Sequence, residues 1–521
     1  MTYPSILNDV IGPVMRGPSS SHSAAAVRIG RIGRELMGGD LDRVEVSLDL
    51  AGSLPTTYLT QGSDMGLCGG LLGFDADDER LPNYRSELEK GDLSVHYTTG
   101  HLGDPHPNTY NLTLANSTER HSLVAISTGG GMIEVTEIDG LPVSFSGDCY
   151  GLAVWTARPH HAVTELLSDA GCTTTVSDSG TQPLVFATRS TPFDDKLLNA
   201  ITQQQESVRA RTLTPVLPIL TAEQMTVLFT TGTEMENYAA QKNIDNLADL
   251  ALDYEAARGG IKRDEVLKKA LYLVDVLENS IKRGLLGTEF ADRILGFQSG
   301  KYKKRHKQGT MLDLGILDRV IPYVTALMEV KSSMGVIVAA PTAGSCGGLP
   351  GTVLAAADAM QMGTEAKARA LLAAGLIGVL VATRSTFSAE VCGCQAECGV
   401  SSGMIAAAMV SMMGGDPVTS LKAASIALQN IFGMVCDPVA NRVEVPCLGK
   451  NILAASNGVS CANLALAGFD HVVPFDEVVA AMDSVGRAIP HELRCTALGG
   501  LSLAPTSKRI EKKLESQLAG K

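Results

Sequence analysis

The chain has 521 residues, more than one hydrophobic core normally serves, and 45% are hydrophobic against 19% charged, which gives two or three globular domains and excludes a disordered chain. A net charge of −13 argues against nucleic acid or an anionic membrane as partner. No basic region followed by an apolar core opens the sequence at Met1–Ser5, so a cytoplasmic location is expected, where the eleven cysteines read as thiols or metal ligands rather than disulfides.

Residues 1–150 read as an α+β domain: helical spacing over Val27–Met37, then β-like runs at Val44–Leu48 and Leu123–Ile126 between Gly-rich turns. Residues 151–221 read as a small α+β module, ferredoxin-like or ACT-like. It has a helix over Ala162–Ala170, β-like runs at Thr173–Val176 and Pro183–Thr188, a further helix, and a linker near Pro215 and Pro218. Residues 222–521 are helical throughout, with apolar steps of three and four over Leu247–Ala257, Arg263–Arg283 and Leu312–Val330. The fold class is therefore multidomain, ending in an all-α domain. The apolar run Ala370–Thr383 spans roughly 21 Å as a helix, too short to cross a bilayer, and reads as buried. The basic run Lys301–Lys307 reads as a solvated loop.

Eight cysteines lie in the helical part: Cys346, Cys392, Cys394, Cys398, Cys436, Cys447, Cys461 and Cys495. Thiolates are soft ligands that suit iron–sulfur clusters and zinc, but there are no paired CxxC spacings or His partners of the zinc-finger kind. Spacing leaves two readings open, metal ligands or structural thiols of an Ala-rich core, and does not choose among the eight. At the other end, Ser19-Ser20-Ser21-His22 leads into a helix, where hydroxyls and free N–H groups suit a carboxylate or phosphate and an imidazole suits proton transfer. The same residues also make an ordinary N-cap. Thr342-Ala343-Gly344-Ser345 is a second small-residue loop, without the Lys of a P-loop. His106-Pro107-Asn108 and Ser127-Thr128-Gly129-Gly130-Gly131 complete the candidates.

Together these motifs resemble the iron–sulfur-dependent L-serine dehydratases over most of the chain. The first domain is similar to the family's β part through Gly17–Ser23, His106–Asn108 and Ser127–Gly131. The last is similar to its α part through Ser333–Gly335, Pro341–Ser345, Gly393–Glu397, Cys436–Val439 and Val445–Cys447. The resemblance implies a lyase of amino-acid degradation and gluconeogenesis, converting L-serine to pyruvate and ammonia with a [4Fe–4S] cluster on Cys394, Cys436 and Cys447. Cys392 and Cys398 are then bystanders, and an open iron acts as Lewis acid on the β-hydroxyl. It further implies His22, His106 and Ser21 as catalytic residues and Ser19, Ser20, Asn108, Thr342, Ala343, Gly344 and Ser345 as the substrate cradle. A homodimer is the expected assembly.

Three departures bear on substrate: Gln61 where the family has His, Cys495 where an acidic residue is usual, and a chain ending Gln517–Lys521 without a terminal Cys. They leave open a β-elimination lyase on L-threonine or L-cysteine, and a non-catalytic sensor that kept the cluster or the serine pocket.

Overall fold

The computed structural model describes residues 3–178, 182–222 and 225–519. Met1 and Thr2, read above for a leader, and Gly520 and Lys521 of the terminal stretch lie outside the described residues.

The first layer is a six-stranded mixed sheet in the spatial order Ser94–Gly100, Arg43–Asp49, Thr109–Ala115, Arg120–Gly129, Met132–Ile138, Leu141–Phe145. The first two strands are parallel and the rest antiparallel. Alternation decides which face is buried. Val44, Val46 and Leu48 of one strand and Leu123 and Ala125 of another join Ile29, Ile32 and Leu36 of the helix Ala25–Leu36 in one core.

The small module has the expected alternation of helix and strand. Its four-stranded antiparallel sheet runs in the order Ser207–Leu213, Tyr150–Thr156, Leu184–Arg189, Thr173–Ser177, with helices His161–Asp169 and Asp195–Thr202. Leu152, Val154, Val185 and Ala187 pack under its own helices with Val163, Leu167 and Ile201. The alternate residues Ala153, Trp155, Leu184 and Phe186 belong to the core of the first domain. Both faces of the two central strands are therefore covered from within the chain, and Trp155 Nε1 donates to Asp139 Oδ2 across the junction (2.9 Å).

The remainder is helical, from Gly232–Lys242 to Pro505–Ala519. The apolar run lies in the helix Thr364–Ala382, buried along nearly its whole length, and no helix of the described residues is long and apolar enough to cross a membrane. Two local expectations are corrected. Lys301–Lys307 sits in a solvent-exposed helix, Ser299–Lys307, because Lys and Arg are good helix formers and no Pro interrupts them. The helix expected from Leu312 starts at Leu317, after a turn at Gly315 with positive φ.

The chain's first residues pack into the helical half. Ile6–Val10 forms a π-helical turn whose Ile6, Leu7 and Val10 join the helical core. A side chain at Gly378 would drive into Val10 Cγ1, so that glycine lets the turn lie on the helix Thr364–Ala382. The buried Glu255 carboxylate accepts from Ser5 Oγ, Ile6 N (2.7 Å) and Leu7 N (3.2 Å), meeting the N–H groups that a helix start leaves unpaired. Val14–Met15 then pairs antiparallel with Ile337–Val338.

Asp64, in the first turn of the helix Ser63–Leu71, is buried and accepts from Tyr84 OH. Burial pushes its carboxyl up to about 6. An unfolded Asp titrates at roughly 3.9, so between these values the folded chain binds more protons and loses stability as pH rises. Asp64→Asn removes that loss. Its stability relative to wild type is expected to climb by up to about 3 kcal/mol between pH ~4 and ~6 and then level off, as read by denaturation at several pH values. A pH-independent difference contradicts the assignment.

Candidate active site

The site is built where the turn Ser20–Ala24, just ahead of the helix Ala25–Leu36, meets the segment Ser388–Cys398 of the helical half. His22 is fully buried. Its Nε2 lies 2.8 Å from Thr57 Oγ1, and the Thr57 hydroxyl donates to Ser53 O (2.7 Å). Thr57 thus has only a lone pair to offer, and the network assigns the ring proton to Nε2. Nδ1 is left as an acceptor, 3.0 Å from Ser19 Oγ and 3.1 Å from Ser21 Oγ. Ser21 Oγ donates to Glu390 Oε1 (3.0 Å), so Ser19 is the donor to Nδ1.

Glu390 has no distinguishing motif in the sequence, yet it is the charge on which this arrangement centres. Ser388 Oγ donates to its Oε2 (2.7 Å), and His22 Nδ1 lies 3.6 Å from Oε1. Burial disfavours its charge, but His22 and the hydroxyls of Ser388 and Ser21 outweigh that and hold the carboxyl below its usual range. Burial lowers His22, against the pull of Glu390. The pair therefore carries one charge, a carboxylate facing a neutral imidazole.

The second loop closes on the first. Ala343 N donates to Ser20 Oγ (3.1 Å), and Thr342 and Ser345 form a reciprocal capping box. Thr342 Oγ1 donates to Glu397 Oε1 (2.6 Å), and Asn451 Nδ2 donates to Gly344 O (2.8 Å). The hydroxyls that the sequence offers as a free anion cradle are thus largely engaged in joining the loops. His106 is partly buried, which lowers its pKa, and its Nδ1 accepts from Asn108 N (3.2 Å). Asn108 Oδ1 accepts from Ser53 Oγ (2.7 Å), so Ser53 ties Asn108 to the Thr57–His22 contact.

Cys394, Cys436 and Cys447 are all buried, and all eleven cysteines are free thiols. Lys450 lies one turn beyond Cys447 and donates to Val435 O (2.6 Å) and Asp437 Oδ1 (3.2 Å). Burial works against its charge, but Cys394, Cys436 and Cys447 together hold its pKa above the ordinary value. A hydrogen bond with Cys398 brings the Cys394 thiol down to about 7, against burial and with help from Lys450. Burial pushes Cys447 up to about 12. Glu397, raised to about 8 first by burial and then by Cys394, also senses Glu390, so the thiols and the His22–Glu390 pair share one neighbourhood.

Of the flanking cysteines, Cys392 faces Asp483 Oδ1 (3.8 Å), whereas Cys398 lies against Cys394 and within 3.5 Å of Asn451 Nδ2. Two of the three departures from the family pattern touch one another. Gln61 Nε2 donates to Cys495 Sγ (3.4 Å), and Cys495 is hydrogen-bonded to the Cys436 thiol. Among the described residues, no three His, Cys, Asp or Glu side chains gather tightly enough to hold a single metal ion. Ligands of a cluster bind different irons and need not converge on one point. Three buried thiols, Cys394, Cys436 and Cys447, are a donor set that fits such a group.

A family model described as serine dehydratase alpha chain matches residues 196–502. The chain belongs to the serine dehydratase family. It is 36% identical over 287 residues to the L-serine dehydratase alpha chain of Peptoniphilus asaccharolyticus, covering 55% of this chain and 98% of that one. To the probable L-serine dehydratase alpha chain of Bacillus subtilis (strain 168) it is 38% identical over 252 residues, 48% of this chain and 84% of the relative. To the probable beta chain from the same organism it is 41% identical over 148 residues, 28% of this chain and 66% of the relative. This serine dehydratase family member therefore carries beta and alpha parts in one polypeptide.

The charge state of His22 is directly testable. An ordinary His is half-protonated near pH 6.5, whereas His22 is expected to stay neutral, with its proton on Nε2. Nitrogen NMR of histidine-labelled protein reads both; an imidazolium signal for His22 at about pH 6.5 contradicts the assignment.

Proposed function

We propose that the chain dehydrates and deaminates L-serine to pyruvate and ammonia, with Cys394, Cys436 and Cys447 holding a [4Fe–4S] cluster. The observation that carries this reading is that the His22 turn reaches the thiol segment by hydrogen bonds, Ala343 N to Ser20 Oγ (3.1 Å) and Thr342 Oγ1 to Glu397 Oε1 (2.6 Å), Glu397 lying between Cys394 and Cys398 in the chain. A cluster with three thiolate ligands supplies an open iron, a Lewis acid toward the β-hydroxyl.

The chain's own residues do the rest. His22 Nδ1, whose lone pair accepts from Ser19, is the base that would take up the α-proton once the substrate displaces that hydroxyl. The imidazolium so formed is offset by the Glu390 carboxylate 3.6 Å away, and Ser21 keeps that carboxylate in line. His106, with Nδ1 committed to Asn108 N–H, presents its other nitrogen for the second proton transfer. Ser19, Ser20, Thr342, Ala343, Gly344 and Ser345 hold the two loops around the amino acid. Loss of the α-proton and of the hydroxyl as water gives an enamine, which tautomerises and hydrolyses to pyruvate and ammonia.

The Gln61–Cys495 contact beside Cys436 favours one second reading, β-elimination from L-threonine or L-cysteine by the same residues. Anaerobically purified protein assayed for 2-oxo acid release on L-serine, L-threonine and L-cysteine separates the two. Pyruvate release fastest from L-serine is the expected result; a bound cluster without turnover of any of the three leaves a sensor instead. Cys394→Ser, Cys436→Ser and Cys447→Ser should each lose iron and sulfide, and Cys392→Ser, whose thiol faces Asp483, should retain them. A full cluster in all four overturns the ligand assignment.

A further inference from the structure

The hydroxyls of the Ser19–Ser21 and Thr342–Ser345 loops are largely committed to the protein, which raises the question of what meets the substrate's carboxylate. Two buried side-chain atoms at this site have no partner among the described residues, Asn108 Nδ2 and Ser127 Oγ. Both residues are wholly shielded from solvent. Buried polar groups in native proteins are almost always paired, and one left unsatisfied costs about 1–3 kcal/mol. Unpartnered atoms occur elsewhere as single cases, such as Ser280 Oγ and Ser401 Oγ. Here the two belong to neighbours, since Ser127 N donates to Asn108 O (3.1 Å).

The chemistry of the pair is fixed by its surroundings. Asn108 Oδ1 is occupied by the Ser53 hydroxyl, so the free end of the amide is its NH2, a donor with no lone pair to offer. Ser127 adds a hydroxyl donor. Their place in the site is fixed by the strand Arg120–Gly129, whose end abuts the segment bearing Glu390. A Cβ at Gly129, which has φ +108, would lie 2.9 Å from Ser388 N, and Thr386 Oγ1 donates to Thr128 O (3.5 Å). Ser388 in turn holds Glu390. Two free donors and an ionised carboxylate thus belong to chain segments in contact, and an amino acid brings a carboxylate for the donors and an ammonium for the acid.

We propose that Asn108 Nδ2 and Ser127 Oγ together bind the substrate's α-carboxylate, making Ser127 a substrate-binding residue. This rests on the amino-acid lyase reading above. It is tested with Ser127→Ala and Asn108→Ala, measuring kcat and KM on L-serine, alongside calorimetric binding of glycine and glycinamide, which lack a leaving group. Each variant should raise KM about 10- to 100-fold while leaving kcat much less affected, the loss expected of one hydrogen bond to a charged group. Wild type should prefer glycine to glycinamide, and both variants should lose that preference. Iron and sulfide content and thermal midpoint confirm that each variant is folded and loaded; if Asn108→Ala does not fold, Ser127→Ala alone decides. A folded Ser127→Ala variant with wild-type KM and wild-type glycine preference overturns the proposal. Absence of 2-oxo acid release by wild type would instead overturn the lyase reading, and the glycine measurement would still test the donor pair.

Discussion

The site depends on a buried negative charge. Glu390 sits in the helical half with its carboxylate out of water, a placement that costs several kcal/mol unless the charge is met by donors. One donor is local, Ser388; the other, Ser21, comes from 369 residues away. Folding is therefore asked to bring the chain's first twenty-odd residues onto its C-terminal half, and several contacts serve that end. Glu255 gathers the N–H groups of Ile6 and Leu7, Gly378 leaves room for Val10, and Val14–Met15 pairs with Ile337–Val338. The thiol site obeys the same logic. Cys394, Cys436 and Cys447 come from separate segments; Lys450 offsets part of the burial cost at Cys394 and Cys447, while Cys495 and burial hold the Cys436 thiol well above its ordinary value.

The first domain contributes more than a support. Its sheet carries Asn108 and Ser127 and delivers Gly129 of the glycine turn against Ser388, while its helix Ala25–Leu36 carries the His22 turn. The small module sits behind this domain with one sheet face buried in it. A strand that uses alternate residues for its own helices and for a neighbouring core has no apolar face left over, which explains the near-continuous burial of Leu152–Trp155.

Much of this was legible in the sequence, for identifiable reasons. Apolar residues at helical spacing located Leu247–Gly259 and Arg263–Leu286, and strand alternation located Arg43–Asp49. Motif resemblance, rather than spacing, selected three of eight cysteines, and those three are buried. Glu390 was not legible, because a lone acid between Ala389 and Val391 has no local pattern, and its role exists only through contacts that cross the whole chain. The same holds for Ile6–Val10, a five-residue turn too short to show a period. Serine-rich loops misled in the opposite sense. Their hydroxyls announced a free anion site, but tertiary packing spent most of them on His22, Ala343 and Glu397.

The central claim is that the His22–Glu390 pair, assembled across the sequence, drives proton transfer rather than merely holding the halves together. Glu390→Gln keeps the size of the side chain and an acceptor for Ser21 or Ser388, but removes the charge facing His22. The account predicts a kcat on L-serine lower by about 100-fold or more, with iron and sulfide content and thermal midpoint close to wild type. A folded, cluster-loaded Glu390→Gln enzyme with wild-type kcat would contradict it.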